Sequence, residues 1–292
     1  MAILAAFGAR NLDVLAITTV AGNVKGDQTA INACIIREVA DRESRVPVCA
    51  GAPRPLLRDP VTAEDFHGST GLGNIDFPDP ELEQEQTHAV NQIIRVCKDA
   101  RDNPLTLIVT GPMTNIALAL TMDPEIEDGI AEIVLMGGAD REGGNITPYA
   151  EFNVYADPHA AAAVFGSKLP IRCLSLDVTH RIRTTAARLA KIRNGITRHS
   201  QIAGDLLEAS CKLEFSANGA REAPLHDPST VIAVTHPDLF HGRRARVKVV
   251  TEDGEQFGRT IPTFCEDGNV LWYESADSDA VFEALARHLE SA

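Results

Sequence analysis

Apolar residues along the chain fall into two alternating kinds of run. Short, β-branched blocks at 12–20, 46–50, 105–110, 132–136 and 171–176 are nearly continuous in hydrophobicity, which marks strands covered on both faces. Between them apolar positions recur at helical spacing, as with Ile31, Cys34, Ile35 and Val39 in 29–40, and again in 89–100, 116–120 and 157–165. Strand, helix, strand in repetition predicts βαβ units. The expected fold class is therefore α/β, with an open, mostly parallel central sheet and helices on both faces.

Punctuation refines this picture. Residues 1–9 read as a helix, with no Ser, Thr, Asp or Asn ahead of it to serve as cap. Thr114 is placed to cap the helix after 105–110, and Asp157 followed by Pro158 is placed to cap the helix of 157–165. Residues 184–213 keep helical spacing with a basic polar side, 216–225 is a polar loop, and 230–234 is helical. The C-terminal blocks 245–250, 256–263 and 269–273 alternate, with hairpin signals at Asp253-Gly254 and Asp267-Gly268, and 280–289 closes as a helix. This predicts a small C-terminal hairpin region. No repeat and no long linker divides the chain, so residues 1–292 are expected to form a single domain.

Charge narrows the partners. A net charge of -14 argues against nucleic acid and against an anionic membrane surface, while permitting a neutral ligand or a divalent cation. No apolar run approaches the roughly 20 residues that span a bilayer. Six cysteines without a CxxC pair suggest neither a zinc knuckle nor a disulfide scaffold, and a reduced cytoplasmic setting is expected.

Candidate chemistry concentrates in 144–157, directly after an apolar run that ends in Gly137 and Gly138. Asn145, Glu151 and Asn153 put one carboxylate between two carboxamides, a donor and acceptor set suited to vicinal hydroxyls such as those of a ribose. A turn stabilised by its own Asx side chains is the plainer alternative. Asn23 follows the strand at 12–20 and so falls where open α/β sheets gather ligands. His67 lies in the glycine-rich segment 66–73, which has the composition of a mobile flap.

Four segments together, AITTVAGN at 16–23, TGPMTNIA at 110–117, Met136 through Asp157, and LHDP at 225–228, resemble the nucleoside hydrolases of the inosine-uridine-preferring type. The resemblance implies a Rossmann-like sheet and calcium-dependent hydrolysis of ribonucleosides, purine or pyrimidine, to ribose and free base. It further implies that Asn23, Asn145, Glu151 and Asn153 hydrogen-bond the sugar and that Met136 packs against it. Phe152, in the same stretch, joins them as a substrate contact, and His67 is brought near the substrate by the flap. His226 matches the residue beside the leaving base, while Asp227 and the backbone carbonyl of Thr110 match metal ligands. A homodimer or homotetramer is the expected assembly.

The chain departs from the family in one respect. It holds no DxDxGxDD cluster, the family's main source of carboxylate for the metal and of the base that activates water. Residues 1–6 fall where the family's first helix continues past that cluster, so the sequence reads as N-terminally truncated relative to the family. Calcium is accordingly expected to bind weakly or not at all in this chain. Two other readings stay open at this point: a catalytically impaired protein that binds nucleoside or ribose without turnover, and a structural subunit of a hetero-oligomer.

Overall fold

The computed structural model describes residues 1–41, 44–64, 68, 70–73 and 75–291. Its first part alternates as the sequence predicts: α1 (Ala2–Gly8), β1 (Ile17–Thr18), α2 (Gly26–Ala40), β2 (Val48–Cys49), α3 (Ala89–Asp99), β3 (Leu105–Val109), α4 (Thr114–Met122), β4 (Ile130–Met136). Next come α5 (Phe152–Ala156), α6 (Pro158–Phe165), β5 (Ile171–Leu174), α7 (Leu176–Thr179), α8 (Ala186–Arg193), α9 (Arg198–Asn218) and α10 (Pro228–Thr235). The chain ends with β6 (Phe240–Val249), β7 (Thr260–Phe264), β8 (Val270–Ala276) and α11 (Ser278–Glu290).

A six-stranded sheet of order β3-β4-β5-β8-β6-β7 forms the centre. β3, β4, β5 and β8 run parallel, and β6 is antiparallel to both β8 and β7. Pleating sends alternate residues to opposite faces. Ile133, Leu135, Ile171, Cys173, Val270 and Trp272 join one core with Ile93, Ile116 and Val164 from α3, α4 and α6. Val134, Leu174 and Tyr273 join the other, with Leu4, Ile36, Ile232 and Leu285 from α1, α2, α10 and α11. Both faces are therefore helix-covered, which is why the strands read as unbroken apolar runs. Each wholly buried Ile or Leu here stabilises the fold by about 1.5–3 kcal/mol.

Several local expectations differ from what is observed. Thr114 does not cap α4: the cap position is Met113, with no side-chain bond, and the Thr114 hydroxyl donates to the Asp157 carboxylate at 2.7 Å. The helical stretch 184–213 is two helices broken around Gly195, where an added Cβ would meet Ser200 at 2.4 Å, and α9 runs on through Asn218 into the expected loop. The C-terminal strands are part of the main sheet. Asp253-Gly254 does lie in a β6–β7 hairpin, but Asp267-Gly268 joins strands that are not neighbours, because β8 inserts between β5 and β6. Finally, β1 and β2 form their own parallel pair, in register Ile17↔Val48, instead of continuing the main sheet. No described helix is long and apolar enough to cross a membrane.

Candidate active site

The site grows from the carboxyl end of β4. Gly138 has φ +81, and a Cβ there would meet the Trp272 ring at 3.0 Å and the Thr260 hydroxyl at 3.1 Å, so glycine alone turns the chain here. The turn aims the Gly138 N–H at the Glu151 carboxylate, 3.0 Å away. Glu151 also caps α5, accepting from the N–H groups of Asn153 at 2.9 Å and Val154 at 3.1 Å. Asn145 Oδ1 accepts the N–H of Phe152 at 2.9 Å, and Asn153 Nδ2 donates to the Met136 carbonyl at 3.1 Å. Met136, Asn145, Glu151, Phe152 and Asn153 are thus stitched into one unit.

What these bonds leave unused matters more than what they use. Asn145 Nδ2 and Asn153 Oδ1 have no hydrogen-bond partner among the described residues, and Glu151 retains acceptor capacity beyond its three N–H donors. A donor and acceptors lie side by side on a rigid frame. Glu151 is 2% exposed, and burial pushes its pKa up to about 7 against the pull of its backbone N–H partners, with the charge of Asp227 adding to the rise.

His226 and Asp227 come from the turn before α10. Pro228 opens that helix, and Asp227, at the cap position, makes no capping bond with its side chain. Its carboxyl is ringed by protein, which raises its pKa to about 6, while the Met1 amino group pulls it down. His226 Nδ1 lies 2.9 Å from the Thr179 hydroxyl, and its ring centroid is 5.6 Å from that of His180. His180 Nδ1 is 3.1 Å from Glu142 Oε1, which returns the network to the loop after β4. Asp177 fixes that loop by accepting the N–H groups of Asp140, Arg141 and Glu142 at 2.9, 2.8 and 3.0 Å.

Residues 177–180 directly follow the strand block at 171–176, but residue type alone gives Thr179, His180 and Glu142 no role. Position at a strand's carboxyl end was the signal, and nothing in residue type singled them out.

Other expected site residues are less integrated. Asn23 is exposed, its carbonyl accepts the Ala63 N–H at 2.9 Å, and no hydrogen bond joins its side chain to the β4 unit. Thr110 follows β3, and its loop packs on the Asn23 turn, where a Cβ on Gly22 would meet Pro112 at 3.0 Å. His67 lies outside the described residues.

The family resemblance implies calcium, which takes six to eight oxygen ligands. Among the described residues there is no group of three or more His, Cys, Asp or Glu side chains able to hold a metal. One carboxylate with a pKa near 6 and one strand-end carbonyl do not fit that demand. No chemical step is assigned to a metal here.

A family model described as inosine-uridine preferring nucleoside hydrolase matches residues 1–283. The pyrimidine-specific ribonucleoside hydrolase RihA of Photobacterium profundum is 38% identical over 262 residues, covering 89% of this chain and 84% of its own. The pyrimidine-specific RihB of Escherichia coli is 37% identical over 260 residues, covering 89% and 81%. Among solved structures, a purine-preferring ribonucleoside hydrolase from Gardnerella vaginalis superposes with a TM-score of 0.90 at 30% identity, covering 99% of this chain and 93% of that one.

Proposed function

The chain belongs to the inosine-uridine preferring nucleoside hydrolase family, and on that premise we propose that it hydrolyses the N-glycosidic bond of ribonucleosides to ribose and free base. The observation that carries the reading is the β4 unit, where Asn145 Nδ2, Asn153 Oδ1 and the Glu151 carboxyl keep hydrogen-bonding capacity that no described residue takes up, on a frame locked by backbone bonds. Such a set engages the hydroxyls of a ribose. As the C1′–N bond lengthens, positive charge develops on the sugar, and pre-aimed acceptors stabilise it.

The base departs with the electron pair of that bond. An N–H of His226 directed at it makes it a better leaving group. Water adds its oxygen to C1′, and the proton it sheds replaces the one delivered to the base. Asn23, Met136 and Phe152 complete the sugar contacts in this reading, and the family resemblance adds His67 as a substrate contact.

Relatives that act on pyrimidine and purine nucleosides are both close, so both substrate classes fall within the proposal. The reading also takes in a reducing cytoplasmic setting, supported by six free cysteines, and a homodimer or homotetramer on family grounds. Sedimentation would decide the assembly. The catalytic reading is tested by base release from uridine and inosine. Asn153→Ala is expected to weaken substrate binding and His226→Gln to lower kcat by roughly 10²–10⁴-fold. Unchanged kinetics in both variants would remove these residues from the mechanism.

A further inference from the structure

We propose that Thr179 is a positioning residue that fixes which ring nitrogen of His226 carries the proton, while the Glu142–His180 pair holds the ring's plane. Only the use of that proton rests on the hydrolase reading. The geometry stands by itself.

Thr179 is wholly buried in α7, immediately after β5. A threonine in a helix commonly returns its hydroxyl proton to a carbonyl three or four residues back. Ser229, Thr230 and Thr235 of α10 do so, bonding the carbonyls of Leu225, Asp227 and Val231. Thr179 does not. Its hydroxyl has one partner among the described residues, His226 Nδ1 at 2.9 Å.

Two proton arrangements fit that distance. If Nδ1–H donated, the Thr179 hydroxyl proton would be left in a dry interior with no acceptor, a costly state for a buried polar group. If the hydroxyl donates, every proton is placed. Nδ1 then accepts, and the proton of the neutral ring sits on Nε2, on the edge directed away from buried Thr179. That is the N–H that the hydrolase reading directs at the leaving base.

The Thr179 hydroxyl holds one edge of the ring. His180 packs beside its face, with its ring 5.6 Å from that of His226 at 55°. His180 is itself tied at Nδ1 to Glu142, 3.1 Å away. Glu142 is held in turn by its N–H to Asp177, which also accepts the Ser175 hydroxyl at 3.0 Å. A chain of fixed groups thus runs from the end of β5, through the loop after β4, back to the imidazole.

The test compares wild type with Thr179→Val, which keeps the shape and removes the hydroxyl, and Thr179→Ser, which keeps the hydroxyl. Folding of each is checked by circular dichroism. The first readout is the ¹⁵N NMR spectrum of histidine-labelled protein at about pH 8.5, above the ordinary imidazole range, with His226 assigned by its loss in His226→Gln. Wild type and Thr179→Ser should show Nε2 protonated and Nδ1 bare, and Thr179→Val a mixture. Protonated Nδ1 in wild type overturns the proposal.

The second readout is kinetic. Thr179→Val should lower kcat for uridine roughly ten- to hundredfold with KM nearly unchanged, and leave untouched a riboside whose nitrophenolate leaving group needs no N–H. Thr179→Ser should restore uridine turnover. Equal losses on both substrates would make Thr179 merely structural. Should wild type release no base at all, the hydrolase reading fails and the NMR result alone decides this one.

Discussion

Glu151 carries two loads. It caps α5 and ties that helix to Gly138 through three N–H donors, yet burial keeps its pKa near 7. The folded state therefore holds this proton up to about pH 7, whereas the unfolded chain releases it at the ordinary glutamate value of 4.5. Between those values the native state binds more protons, so stability is greatest below the lower value and is lost as pH rises through the upper. The swing is about 3 kcal/mol. Glu151→Gln is expected to flatten urea-denaturation stability across that window. It should also cost about 1–3 kcal/mol at pH 5, because an amide cannot accept on both sides. A variant whose pH profile still falls in parallel with wild type would place the titration elsewhere. The grouping of Glu151 with Asn145 and Asn153 was legible in the sequence because the three are local. The Thr179–His226 contact was not, since the residues are 47 positions apart and strand order alone brings them together.

At the scale of elements, Asp157 shows how the site's helices are anchored. It is wholly buried, caps α6 through the Ala160 N–H at 3.1 Å, and accepts from the Leu56 N–H at 2.9 Å and the Thr114 hydroxyl at 2.7 Å. One carboxylate thereby joins α4, α6 and the segment after β2. Asp157→Ala removes the cap and orphans buried donors, and is expected to destabilise the protein by about 2–4 kcal/mol, read as a lower urea midpoint with an unchanged slope. A loss below 1 kcal/mol would mean that water replaces the carboxylate. The cap was readable from Asp157 and Pro158 in sequence. The diversion of Thr114 to it was not, because a Thr before a helical run looks the same whether it caps its own helix or bonds across to another.

For the whole molecule, the parallel half of the sheet was legible because strands buried on both faces leave continuous apolar runs. The place of β8 beside β5 was not, since alternation identifies a strand without naming its neighbour. Nor did the apolar run at 12–20 reveal that only Ile17–Thr18 pairs as strand, and only with β2. Among the described residues no group of three or more His, Cys, Asp or Glu side chains could hold a metal. With Asp227 the one side-chain carboxylate that the family resemblance offers as a ligand, calcium is expected to bind with millimolar affinity or weaker. Isothermal titration checks this, and micromolar binding would show a donor set that the described residues do not supply.

The activity proposed for this chain is cleavage of the bond between ribose and base. Incubating the protein with uridine and with inosine, and quantifying base and reducing sugar by chromatography over time, tests it most directly. Free base and ribose are expected in equal amounts, at a rate proportional to protein and lost in His226→Gln. Nucleoside recovered intact, whether bound to the protein or free, would contradict it.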